Sequence, residues 1–99
     1  MTELFKALSN EHRVQILKWL KTPHDFFELE DIEPEVHEFG VCMSVIQKKA
    51  GLSQSTTSAY LTNMVNIGLL TSTRNGQWTY YKRNEDKIAE LANYIQNTL

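Results

Sequence analysis

Between residues 42 and 83 the chain carries two helix-like stretches joined by only Gly51-Leu52-Ser53, then two strand-like runs separated by Asn75-Gly76. That order constrains the fold more than any other feature. Residues 42–50 put Val45, Ile46 and Ala50 on one side, and Gly51 is a suitable residue to end a helix. Ser53 is a good N-cap for a second helix reaching about residue 67, with Gly68 as its stop. In that helix Thr57, Leu61, Met64 and Val65 follow the i, i+4, i+7, i+8 spacing of a buried face. Residues 69–73 and 77–83 are rich in β-branched and aromatic side chains. Asn75-Gly76 between them predicts a hairpin closed by a type I′ turn, which needs positive φ at both central residues.

The flanking segments complete the outline. Residues 2–9 read as a short helix that Thr2 can cap, with Leu4, Phe5 and Leu8 on one face. Ser9 and Asn10 separate it from a helix over 11–21. There Val14, Ile16, Leu17 and Leu20 form the apolar side, and Lys18 and Lys21 suit the negative end of the helix dipole. Pro23 stops that helix. Residues 22–40 form a long connection with Pro23, Pro34, Gly40 and seven carboxylates. Its Phe26, Phe27, Leu29, Ile32, Val36 and Phe39 suggest partial packing on the body, with room for a short helical turn. A last helix near 86–98 carries Ile88, Leu91, Ala92 and Ile95, with Leu99 behind it.

The expected fold is therefore mainly α with a small β-hairpin. Its order, helix-helix-loop-helix-helix-hairpin-helix, is that of a winged helix-turn-helix. A chain of 99 residues makes one domain over 1–99 and is marginal alone. The apolar stripes of the terminal helices, 2–9 and 86–98, exceed what one small core needs. They are expected to meet in a homodimer; closing the monomer's own core is the alternative.

Charge distribution points to a partner. The chain carries −2 overall, yet the forty-three residues 41–83 hold Lys48, Lys49, Arg74, Lys82 and Arg83 and no Asp or Glu. The seven acids of residues 25–40 lie outside that window. A surface that meets a polyanion excludes carboxylates, and at a Debye length of ~8 Å a distant acidic segment is largely screened. Double-stranded DNA is the partner this favours. In a helix-turn-helix the N-terminal residues of the second helix face base edges in the major groove. Here these are Gln54, Ser55, Thr56 and Ser58. Gln54 can pair bidentately with adenine, and the hydroxyls can serve bases or phosphates. Lys48 and Lys49 are backbone-contact candidates. Arg74, Asn75 and Gln77 sit at the wing tip, where Arg74 can enter a minor groove or meet the backbone.

Residues 4–17 (LFKALSNEHRVQIL), 51–61 (GLSQSTTSAYL), Gly68-Leu69-Leu70 and 76–81 (GQWTYY) resemble the ArsR/SmtB family of bacterial transcriptional repressors over nearly the whole chain. The resemblance implies a homodimeric winged helix that binds an inverted-repeat operator and is released by an inducer. It implies that Gln54, Ser55, Ser58 and Ala59 approach bases. Ala59 stands where His is common, and Tyr60 beside it can reach a phosphate instead.

Many such relatives hold soft metals through a Cys-x-Cys pair. This chain keeps Cys42 at the second position and has Gly40 at the first, so that site is expected to be lost. The family's other site, built from Asp and His on the last helix, finds no His in residues 84–99. A mixed site of His37, Glu38 and Cys42 is the remaining metal arrangement. Cys42 itself is either an inert buried side chain or a thiol sensor for a small-molecule or redox inducer. No cofactor is expected. Nor is an enzyme, because there is no phosphate-binding Gly-rich loop, no framed carboxylate pair and no His near Cys42 except His37. A winged-helix protein-interaction module with little DNA affinity is the alternative function. No apolar run approaches the ~18 residues of a membrane span, and no secretory signal is visible. The expected location is cytoplasmic, on the nucleoid when DNA is bound.

Overall fold

The computed structural model describes residues 1–32 and 36–99, without the side chains of Leu29 and His37. In chain order the elements are α1 (Thr2–Ala7), α2 (Glu11–Lys21), α3 (Pro23–Phe26), a 3-10 turn (Leu29–Asp31) and α4 (Val36–Phe39). Then come β1 (Val41–Cys42), α5 (Met43–Ala50), α6 (Gln54–Asn66), β2 (Leu70–Asn75), β3 (Trp78–Arg83) and α7 (Glu85–Asn97). The mainly helical winged helix-turn-helix expected from the sequence is the architecture found.

The core sits where α2, α5 and α6 meet the sheet. Ile16, Ile46, Leu61 and Met64 are fully buried, joined by Val41, Leu69 and Leu70. Thr57 is buried among them, and its hydroxyl donates to the Ser53 carbonyl at 2.9 Å, so the polar atom is satisfied inside the helix. Chain reversals use the expected residues. Gly51 takes φ +68° after α5. After α6, Gly68 N–H donates to Val65 O and Leu69 N–H to Met64 O, a Schellman closure that turns the chain into β2.

Four expectations are corrected. The sheet has three strands in the order β1-β3-β2, all antiparallel, with Val41 opposite Tyr81 and Cys42 opposite Tyr80. A two-residue strand has no periodicity to read. The wing turn is shifted by one residue: Asn75 pairs with Trp78, so Gly76 and Gln77 are central. Gly76 has φ +65° and no described non-glycine residue has positive φ, which is the pattern of a II′ turn and not of I′. Asn75 thereby remains in β2. In α1 the cap is Met1, whose carbonyl accepts from Leu4 and Phe5 N–H, so Thr2 already lies in the first turn. Finally, Val14, expected on the apolar side of α2, is 37% exposed; in α1 Leu4 and Ala7 are buried and Phe5 is 37% exposed.

The connection 22–40 is more structured than a loop. Pro23 ends α2 and opens α3 at its first turn, where a missing N–H is harmless. Phe27 and Val36 are buried in the core. Pro34 lies outside the described residues. Among the described residues, no helix is long and apolar enough to cross a membrane.

Candidate nucleic-acid interface

The start of α6 is exposed. Ser53 is its N-cap, accepting from Thr56 N–H at 3.1 Å and donating to Thr56 Oγ1 at 2.9 Å; its hydroxyl also lies 3.3 Å from Ser55 Oγ. The turn before it is fixed by Gln47, whose Nε2 donates to the Leu52 carbonyl at 3.3 Å. Gln54, Ser55 and Ala59 are exposed and Thr56 and Ser58 half-buried, whereas Thr57, Leu61 and Met64 are buried. The Ser55 and Thr56 hydroxyls thus help hold the helix start and remain at the surface.

A cleft of about 330 Å³ opens between this helix start and the wing, bounded by Cys42, Met43, Ser44, Gln47, Gln54, Gln77, Trp78 and Thr79. It brings together three residues singled out from sequence, Cys42, Gln54 and Gln77. Trp78 was not anticipated. Strand alternation could have found it, since Tyr80 on the same face is covered by Phe39 (centroids 6.0 Å apart) whereas Trp78 lies beyond that ring and is 49% exposed. At the wing tip Arg74 Nε donates to the Gly76 carbonyl at 3.0 Å, and the residue is exposed. Asn75 and Gln77 are exposed beside it.

The two lysines of α5 have intramolecular partners. Lys48 Nζ lies 3.7 Å from Asp31 Oδ2, with its side chain 78% exposed. The Lys49 ammonium sits 5.2 Å from the Trp19 ring centroid, 5.9 Å from Phe26 and 5.8 Å from Phe27, an aromatic cage on the connection side. Tyr60 is likewise engaged: its hydroxyl accepts from Asn10 Nδ2 at 3.4 Å, its ring stacks near His12, and the Arg13 guanidinium lies 5.3 Å above it. Arg13 Nε donates to the Ala7 carbonyl at 2.8 Å, tying α1 to α2 and α6. The His12–Arg13–Tyr60 cluster has no local sequence signal, because Tyr60 is about fifty residues from the adjacent His12 and Arg13.

Cys42 is half-buried, not buried, and its Sγ lies 3.4 Å from Ser44 Oγ on the cleft wall. Across the strand pair, its negative charge when ionised adds to burial in raising the Tyr81 pKa above 10.0, burial being the larger cause. Gly40 explains the missing Cys-x-Cys pair. It has φ +97°, and a Cβ there would be driven into the Tyr81 carbonyl. The backbone at position 40 has no room for a ligand side chain. For the mixed set, the His37 side chain lies outside the described residues. Among those described, no three His, Cys, Asp or Glu side chains gather as metal ligands.

No family model matches the chain. It is 44% identical over 97 residues to YbzH of Bacillus subtilis, described as an uncharacterized HTH-type transcriptional regulator, covering 98% of this chain and 96% of that protein. A solution structure of Mb0332 from Mycobacterium bovis superposes with a TM-score of 0.64 and 25% identity, covering 96% of this chain and 73% of that one. It is described as a homodimeric winged helix-turn-helix DNA-binding domain of a possible ArsR-family transcriptional regulator. NolR from Sinorhizobium fredii has the same fold, with a TM-score of 0.64, 23% identity and coverage of 98% and 81%. The Bacillus and Mycobacterium relatives are described as regulators, not enzymes. Identity at that level along almost the full length of both proteins, on this architecture, means that the chain belongs to the ArsR/SmtB-like family of winged helix-turn-helix transcriptional regulators.

Proposed function

We propose that the protein is a homodimeric repressor that reads an inverted-repeat operator, one α6 in the major groove of each half-site, and is released by an inducer that does not use a Cys-x-Cys metal site. The observation that carries this is the outward, carboxylate-free start of α6, with Gln54 and Ser55 exposed beside the wing. Gln54 supplies base readout, and Ser55, Thr56, Ser58 and Ala59 form the rest of the helix surface offered to the groove. Arg74, Asn75, Gln77 and the exposed Trp78 extend that surface along the wing. Lys48 meets the backbone once it leaves Asp31. The dimer forms through α1, α7 and the residues after it, where Phe5, Ile95 and Leu99 are 37%, 46% and 77% exposed. Two-fold symmetry then sets half-site centres ~34 Å apart. The protein acts in the cytoplasm, on the nucleoid when DNA is bound.

Release through Cys42 fits this reading, because an adduct on its sulfur would project into the cleft that Gln54 and Trp78 line. Cys42→Ser would then keep DNA binding and lose the inducer response. Selection of bound duplexes from random DNA, repeated with thiol oxidants and metals, tests the assignment. Enrichment of a palindromic sequence supports it, and failure to enrich any sequence at low salt overturns it. A protein-interaction module is the second reading, favoured by the partners that occupy Lys48 and Lys49. It requires duplex affinity that does not change with salt.

A further inference from the structure

A second cavity, of about 220 Å³, lies at the root of the wing, and none of the described residues lining it belongs to α5 or α6. Lys21, Gly40, Lys82, Arg83 and Glu85 are among its walls. Arg83 is on the same face of β3 as the buried Tyr81, so its side chain runs inward and is only 12% exposed. Its Nη2 donates to Glu85 Oε1 at 3.0 Å, while its Nε is buried with no hydrogen-bond partner among the described residues. Nε and Nη2 share one edge of the guanidinium, the edge a carboxylate or phosphate grips with two parallel bonds. Glu85 fills one of those two positions and leaves the other empty.

We propose that this cavity binds a small oxyanion, a carboxylate or a phosphate, on the Nε/Nη2 edge of Arg83, with Lys21 and Lys82 adding positive charge. A buried unpaired donor is costly unless something meets it, and the described lining residues include three cations and one carboxylate. That carboxylate yields readily: the Glu85 side chain is 67% exposed, and such ion pairs are weak. Lys21 also offsets the negative end of α2, which closes over the cavity at Leu20 and Lys21. The volume admits an anion of a few heavy atoms. β3 connects this site to Trp78 at the wing, so occupancy can bias the wing. That second step rests on the DNA-binding reading, whereas the binding itself is measured without DNA.

The test is a titration of the nitrogen-15-labelled full chain with inorganic phosphate and, separately, acetate, at constant ionic strength made up with chloride. The expected result is a saturable shift of the Arg83 Nε–Hε resonance and of the Gly40 and Lys82 amides with at least one anion. Which anion saturates identifies the chemistry. Arg83→Gln should weaken binding by about tenfold or more, and Lys21→Ala by a smaller factor. If Arg83→Gln does not fold, the Lys21→Ala, Lys82→Ala pair at exposed positions makes the same comparison. Failure of both anions to saturate overturns the site. So do shifts centred elsewhere, or shifts unchanged by the substitutions.

Discussion

The Lys49 ammonium lies 5.2 Å from the ring centroid of Trp19, and the same cation faces Phe26 and Phe27. One side chain of the helix-turn-helix therefore fastens α5 to α2 and to the start of the acidic connection. Such a contact stabilises by about 1 kcal/mol. Lys49→Met keeps the aliphatic stem and removes the charge. It should cost about that much in urea unfolding and lower Tm by about 4–8 °C, while Lys49→Arg should be close to neutral. A Lys49→Met protein of unchanged stability but weaker DNA binding would return this residue to the phosphate-contact role.

Gly40 and Tyr81 pose a harder constraint. Positive φ and the close approach of the Tyr81 carbonyl both require glycine at position 40. Gly40→Ala should lose about 2 kcal/mol or more, since the strained backbone and the clash add. Gly40→Cys should be equally destabilised and gain no soft-metal affinity. Denaturant unfolding and metal titration of the two variants check both statements. A stable Gly40→Cys chain with new cadmium affinity would show that β1 can move aside.

These two contacts mark where the sequence stopped being legible. Helices α2, α5, α6 and α7 were readable because 3.6-residue periodicity, Ser53, Asn10, Gly51 and Gly68 all act locally. The exposed start of α6 followed from the same signals. β1 was not readable, because a two-residue strand is defined only by its partner β3. Asn75-Gly76 announced the hairpin but misplaced its turn, since pairing of Asn75 with Trp78 across the sheet decided the register. From sequence, Lys48 and Lys49 are candidates for contact with the DNA backbone. Their engagement with Asp31 and with three aromatic rings depends on how the connection folds back, which no local rule gives.

Tyr81 predicts a pH dependence. Burial, aided by the charge of Cys42, raises its pKa above 10.0 in the folded chain. Well below that value both states keep the phenol proton, and the stability is fully present. As pH rises through 10.0 the unfolded chain ionises first, so stability falls until the folded-state pKa is passed. Tyr81→Phe should remove this contribution, leaving a flatter alkaline limb in unfolding titrations run from about pH 9 upward. Identical alkaline limbs for the two proteins would contradict it.

Ile95 on α7 and Leu99 just beyond it lie exposed, and on α7 Tyr94 has its ring 6.2 Å from that of Phe5. In a two-fold dimer each substitution is counted twice. Fully burying an Ile is worth about 1.5–3 kcal/mol and Ile95 is 46% exposed, so about half of that is at stake on each side and Ile95→Asp should weaken dimerisation by about tenfold or more. Light scattering behind gel filtration should then give the mass of one chain for the variant and of two for the wild type. A monomeric wild type would remove the dimer from the proposed function.

Gln54 and Lys48 should separate base reading from charge. The exposed Gln54 amide can pair with one base, so Gln54→Ala should relax preference at one operator position by about 1–3 kcal/mol. Lys48→Ala should weaken binding to all duplexes alike and reduce the salt slope by about one unit. The ion pair with Asp31 does not prevent this: at 3.7 Å with a largely exposed lysine it is worth about 0–1 kcal/mol, less than a phosphate contact supplies. Asp31→Asn, which releases Lys48, should accordingly tighten binding modestly and without sequence preference. Binding of operator and scrambled duplexes across a salt series distinguishes the three variants. If Gln54→Ala and Lys48→Ala shifted both duplexes equally, α6 would not enter the groove by its N-terminus.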